Sequence, residues 1–84
     1  MHVLVNNDIE FIRLPFQSYE TINGNKGATI SQGRDLWTVS IREIYLSGRS
    51  KMIDSKVFEK KDEAFIWAYL QIKDYEEVKN EPSN

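Results

Sequence analysis

The sequence predicts an α+β domain in which a three- to four-stranded antiparallel sheet carries one C-terminal helix packed on one face. Three observations favour this fold: an alternating apolar run at 36–46, an Asn-Gly turn at 23–24 between strand-like runs, and a helical apolar stripe after residue 61. A chain of 84 residues is long enough for one domain. We expect residues 1–79 to form a single domain and residues 80–84 a flexible tail.

The sequence of the N-terminal third predicts short strands separated by turns. The runs 3–5 and 9–14 are apolar and β-prone, and either both form a hairpin or only the second is a strand. The segment 23–27, Asn-Gly-Asn-Lys-Gly, suits a tight turn because Asn and Gly tolerate positive φ. It is predicted to join a strand near 19–22 to a strand near 28–31.

The strongest strand signal lies at 36–46. Trp37, Val39 and Ile41 alternate with polar residues, so they share one face of the sheet. The alternation then slips at Arg42-Glu43, which predicts a bulge there. A turn at 47–50 leads into a returning strand at 51–58.

A helix is predicted from residue 61 or 62 to about residue 78. Its sheet-facing stripe comprises Ala64, Phe65, Ala68, Ile72 and Tyr75. Ile66 and Leu70 fall on the opposite side, with Trp67 on the flank. The stripe is expected to pack on the alternating strand.

Composition and charge argue against a membrane-spanning or secreted protein. The chain has no Cys and a formal net charge of −2, with a basic middle (26–61) followed by an acidic end (62–84). It contains no stretch of about 20 apolar residues and no signal-peptide pattern at its N-terminus. We therefore expect a cytoplasmic protein with no membrane partner.

Catalytic and metal-binding patterns are missing from the sequence. The chain has one histidine, His2, so it lacks the Cys/His set of a zinc site and a fixed histidine for nucleophilic catalysis. Its glycines do not form a phosphate-binding loop. The expectation is a non-enzymatic protein with no cofactor and no small-molecule substrate.

Residues 30–68 carry features of a known family. Trp37 opens the long strand, Gly48 lies in the following turn, and the run 58–64, Phe-Glu-Lys-Lys-Asp-Glu-Ala, leads into the helix. This pattern resembles the arm-type DNA-binding domain of phage and transposon tyrosine integrases. The resemblance implies a three-stranded antiparallel sheet followed by a helix, and DNA binding. Lys60 stands where that family usually has a capping Thr, and residues 1–25 have no counterpart.

Two binding hypotheses follow. The first is a protein-interaction module, with an unknown partner or self-association, through the outer helix face of Ile66, Trp67 and Leu70; its alternative is that N-terminal strands wrap over and bury that face. The second is nucleic-acid binding through the open sheet face, where Thr38 and Ser40 would face out. Its basic candidates are Arg34, Arg42, Arg49, Lys51, Lys56, Lys60 and Lys61. A variant of the first hypothesis has the acids Asp62, Glu63, Asp74, Glu76, Glu77 and Glu81 imitate a phosphate backbone.

Overall fold

The fold is an antiparallel meander followed by one helix. A computed structural model describes residues 2–5, 9–14 and 18–81, the first two ranges as backbone alone. The strands are β1 (His2–Val5), β2 (Ile9–Leu14), β3 (Ser18–Asn23), β4 (Lys26–Gly33), β5 (Leu36–Ile44) and β6 (Ser50–Phe58), followed by α1 (Lys61–Ile72).

The sheet contains these strands in chain order, and every neighbouring pair is antiparallel. The α+β class, the antiparallel sheet and the packed C-terminal helix are confirmed. Strands β3 to β6 are the predicted four-stranded sheet. The hairpin of β1 and β2 extends it beyond β3, which resolves the alternatives left open for the N-terminal runs.

The alternation of β5 places the core between the sheet and the helix. Trp37, Val39 and Ile41 are buried against α1, as predicted. The helix contributes Ala64, Phe65, Ala68 and Ile72 to the same cluster, and β3 and β4 add Tyr19, Ala28 and Ile30. Two alanines at the centre of the helical stripe let the helix lie close to the strands.

A register shift lies near the predicted bulge, but the extra residue belongs to the partner strand and not to β5. The register shifts between Ile41 and Arg42, which pair with Asp54 and Met52 and leave Ile53 of β6 as the additional residue. Beyond the shift, Tyr45 is buried. The prediction of an extra residue within β5 was therefore wrong, because β5 keeps a regular register with β4 through Arg42 and Glu43.

The helix is shorter than predicted, because it ends at Ile72 and not near residue 78. The Asn23 side-chain amide donates a hydrogen bond to the Ile72 carbonyl oxygen at 2.8 Å. The chain then leaves the helix and reaches the β3–β4 turn, where the Glu76 N–H donates to the Asn25 side-chain oxygen at 2.9 Å. Tyr75 was expected in the sheet-facing stripe, and this was wrong: it lies beyond the helix and is exposed.

The segment after the helix remains attached to the sheet. Lys79 forms a parallel bridge with Tyr45, and the Leu46 N–H donates to the Lys79 carbonyl oxygen at 2.8 Å. Glu81 forms an ion pair with Arg49 at 3.6 Å. Residues 82–84 of the expected tail lie outside the described residues. In the described part of the chain, α1 lacks the length and apolar character that a membrane crossing requires.

Candidate protein-interaction surface

An open apolar groove lies between the outer side of α1 and strand β6. Its volume is about 440 Å³. The lining residues are Lys56, Phe58, Glu63, Ile66, Trp67 and Leu70. We call this feature the α1–β6 groove. It contains all three side chains that the sequence predicted for protein interaction.

The helical repeat explains how these side chains meet. Ile66 and Leu70 are one turn apart, on the side of α1 turned away from the core, and they are 53% and 49% exposed. Trp67 lies on the flank, half-buried, with its ring centroid 5.7 Å from that of Phe58. The Trp67–Phe58 contact therefore joins the helix to the last residue of β6 and forms the floor of the groove.

The rim of the groove is charged. The Lys56 ammonium lies 5.3 Å from the centroid of the Phe58 ring and 5.9 Å from that of Trp67, which is cation–π distance. Glu63 lines the groove from the first turn of the helix. An apolar floor with a charged rim is the usual composition of a protein–protein contact.

The N-terminal strands do not cover this groove. The backbone of β1 and β2 extends the sheet at the edge opposite to β6, and β1 also comes into contact with α1. Ile66 and Leu70 accordingly stay about half exposed. The alternative in which N-terminal strands bury this side of the helix is wrong for the described strands.

Strand β6 is an edge strand of the sheet that the structure describes, next to the groove, and sequence reasoning missed this. It pairs with β5 on one side, and eight of its nine residues are exposed. Met52, Ile53 and Val57 are between 45% and 60% exposed. The available signal was weak: the run 50–58 mixes Lys, Asp and Ser with apolar residues and lacks the clean alternation of a half-buried strand.

The seven basic candidates are scattered over the molecule. Arg34 and Arg49 lie in turns at opposite ends of β5, and Lys60 precedes the helix. Lys51 pairs with Glu43 across β5 and β6. These residues do not form one continuous basic patch.

Two of the basic candidates lie on the helix side of the sheet. Lys56 extends over the groove, as described above. The Lys61 ammonium donates to the Tyr19 hydroxyl at 3.3 Å and lies 5.1 Å from the Tyr19 ring and 5.7 Å from the Trp37 ring. The expectation that these two lysines rim the open sheet face was wrong, because both pack against aromatic rings near the helix.

Arg42 is the basic candidate that the strand alternation places on the open face. Its guanidinium donates to the Thr29 hydroxyl at 3.2 Å, while its Nε is buried without a hydrogen-bond partner in the described structure. Thr38 and Ser40 lie on the same face, turned away from the helix as expected. This face is rich in hydroxyl groups and carries little charge.

The acidic residues are also divided. Asp62 and Glu63 occupy the first turn of α1, where the helix dipole favours negative charge. Glu76 pairs with Lys79 at 3.8 Å, in the extended segment after the helix. The acids thus lie on two separate parts of the surface, which weakens the comparison with a continuous phosphate backbone.

The described residues form no metal-ligand cluster, since they contain no group of three His, Cys, Asp or Glu side chains placed to hold a metal ion. Burial raises the pKa of the Tyr45 hydroxyl, and the carboxylates of Glu43 and Glu81 raise it further, so this phenol stays protonated at neutral pH. Tyr45 therefore has the character of a structural residue.

Comparisons with protein families, with curated proteins and with solved structures found no match to this chain. The choice of a functional surface accordingly rests on the geometry of the molecule itself.

Proposed function

We propose that this protein is a small non-enzymatic binding module that holds another protein in the α1–β6 groove. The observation that carries the proposal is the open groove itself, in which Trp67 and Phe58 form the floor and Ile66 and Leu70 stay half exposed. Leaving such side chains in water is unfavourable for a small domain, and covering them with a partner stabilises the complex.

The composition of the groove matches the centre of a protein–protein contact. Aromatic side chains dominate binding energy at such contacts, because they bury a large area at low cost in conformational entropy. Lys56 and Glu63 at the rim supply charges of both signs for orienting a partner. A groove with an apolar floor and few polar groups suits a protein side chain better than a charged metabolite.

Capture from cells of the source organism tests this proposal. The 84-residue chain is immobilised and incubated with cell extract. One portion of the extract is treated with nuclease and another is left untreated. We expect a bound protein that survives nuclease and is lost with Ile66→Asp and Leu70→Asp. Ile22→Asp is the matched control, because Ile22 is as exposed as Ile66 but lies on the other side of the sheet, outside the groove.

Circular dichroism is used to confirm that each variant is folded. Equal capture by the wild type and by the Leu70→Asp variant contradicts the proposal. A captured protein with the mass of this chain, measured by mass spectrometry, is a second copy and also counts as a bound protein. Loss of all binding on nuclease treatment favours nucleic acid instead.

The second candidate function is nucleic-acid binding through the open sheet face. The Arg42 guanidinium, which donates to the Thr29 hydroxyl on this face, favours it, since a guanidinium suits a phosphate group. Titration with duplex DNA at about 50 mM and about 200 mM salt tests it, because phosphate contacts give a steep salt dependence. Binding that weakens with salt and with Arg42→Gln supports this function, and no binding at low salt excludes it.

A further inference from the structure

We infer that the partner in the α1–β6 groove is a second copy of this chain, bound through antiparallel pairing of the two β6 strands about Ser55. The inference rests on the proposed function and names its partner. Three features carry it: the free edge of β6, the charge pattern of its sequence, and the position of the groove beside that edge.

The backbone of β6 has hydrogen-bonding groups directed away from the sheet. The Ile44 N–H donates to the Asn25 carbonyl oxygen at 2.7 Å, so the backbone groups of Ile44 face β4, and by alternation so do those of Ser40. Ser55 lies opposite Ser40, in a pair whose N–H and C=O groups point away from each other. The backbone groups of Ser55 thus point outward at the free edge.

One side-chain contact supports this orientation. The Ser55 N–H is not used by β5; it donates instead to its neighbour's carboxylate, Asp54 Oδ1, at 2.8 Å. In a single chain the carboxylate therefore occupies the donor at the centre of the edge. In a pair of chains, the Ser55 N–H donates to the Ser55 carbonyl oxygen of the second copy, and Asp54 is released to a new partner.

The sequence of β6 is self-complementary about Ser55. Antiparallel pairing at this centre sets Asp54 of each copy opposite Lys56 of the other, which gives two attractive pairs. Val57 of each copy lies beside Met52 and Ile53 of the other. Centring the pairing on Asp54 or on Lys56 would set like charges opposite each other, which is unfavourable. The charges therefore favour pairing centred on Ser55 over pairing centred on either neighbouring residue.

The groove lies on the side of the sheet where these charged pairs form. Asp54 and Lys56 pair with Ile41 and Val39 of β5, whose side chains face the helix. A two-fold axis through Ser55 accordingly brings the two α1–β6 grooves together on that side, and each covers the other. The register shift beside Ile53 limits the regular ladder to a short segment, so the grooves contribute a large part of the contact.

Disulfide trapping tests the register directly, because the chain has no native cysteine. Ser55→Cys is expected to form a covalent dimer under mild oxidation, since opposed residues in an antiparallel pair have Cα atoms about 4.5–5.5 Å apart, within disulfide range. Ser50→Cys is the matched control on the same exposed strand, and its two copies would lie about 30 Å apart. Equal crosslinking of both variants, or none of Ser55→Cys, overturns the register.

A charge exchange tests the pairing without a covalent bond. Sedimentation equilibrium is expected to show a wild-type dimer and at least a tenfold weaker dimer for Asp54→Lys and for Lys56→Asp alone. Mixing these two variants restores association, because every opposed pair in the mixed dimer is then attractive. Failure of the mixture to associate better than either variant overturns the proposed pairing.

The groove variants separate this inference from the proposed function. A dimer that is lost with Leu70→Asp but unaffected by Asp54→Lys overturns β6 pairing while supporting the groove as the contact surface. A wild type that stays monomeric up to about 0.5 mM overturns the inference as a whole, because its dissociation constant would then approach the millimolar range. The capture experiment then decides the proposed function on its own.

Discussion

Two asparagine side chains determine where the chain goes after the helix. The Asn23 side chain donates a hydrogen bond to the last helical carbonyl oxygen. The Asn25 N–H donates to the Glu76 carbonyl oxygen, and the Asn25 side-chain oxygen accepts from the Glu76 N–H. Asn25 is buried, so these bonds satisfy polar groups that water does not reach. The β3–β4 turn thus acts both as a hairpin turn and as the docking point of the C-terminal segment.

Gly24 is the residue on which this docking depends most directly. Its φ of +59° lies in the left-handed region, and a Cβ there would collide with the Tyr75 ring and lie 2.7 Å from the Glu76 carbonyl oxygen. Gly24→Ala is therefore expected to lower the free energy of unfolding by about 1–3 kcal/mol, measured by urea denaturation. The collision also predicts release of the segment around Tyr75, visible as faster amide exchange at Glu76.

Gly33→Ala is the control for that experiment. Gly33 has no atom within 4 Å of its Cβ position, and its φ lies outside the left-handed region. The control is expected to change stability by less than about 0.5 kcal/mol. Equal effects of the two substitutions would contradict a specific role for Gly24.

At the scale of elements, the sequence predicted the parts whose pattern is set by one buried face. The alternation at Trp37, Val39 and Ile41 and the helical stripe from Ala64 to Ile72 were both visible because each element buries a single side. The end of the helix was not predictable in this way. Residues 73–78 remain compatible with a helix, and the competing hydrogen bonds come from asparagines about fifty positions earlier in the chain.

The same contrast applies to the candidate site. Ile66, Trp67 and Leu70 were predicted because the helical repeat alone turns them away from the sheet. Lys56 and Phe58 were missed as groove residues, because their role depends on the outer side of α1 lying next to β6. The strand order itself follows the chain order, but the position of the helix relative to the last strand is a tertiary feature that local periodicity does not show.

The start of α1 offers a prediction at the element scale. Lys60 is the N-cap residue, with extended backbone angles and no side-chain hydrogen bond to the helix. Lys60→Thr is expected to raise the free energy of unfolding by about 0.5–1 kcal/mol, because a hydroxyl oxygen can accept from a free N–H of the first turn.

Lys60→Ala provides the comparison, since it removes the same positive charge without supplying an acceptor. Both variants are measured by thermal and urea denaturation at the same salt concentration. A threonine variant no more stable than the alanine variant would show that the first turn already has adequate partners.

At the scale of the whole molecule, the sheet has two ends with different structural roles. β1 and β2 form one end, and β6 with its exposed residues forms the other, next to the groove. Natural sheets usually protect a long free edge with charges or a covering segment. Here the Asp54–Ser55 contact blocks the edge of the single chain, and pairing of two chains would protect it more completely.

This view predicts that thermal stability depends on protein concentration. A folded state that is stabilised by association gains stability with concentration by mass action, so the midpoint of unfolding should rise by several degrees between about 5 µM and 500 µM. Leu70→Asp and Asp54→Lys should each remove this dependence, whereas Ile22→Asp should retain it because Ile22 lies on the opposite side of the sheet. Differential scanning calorimetry over that range measures the effect. A midpoint that is independent of concentration in the wild type would mean that the β6 edge stays unpaired in solution, and the capture experiment would then decide whether the groove holds a different protein.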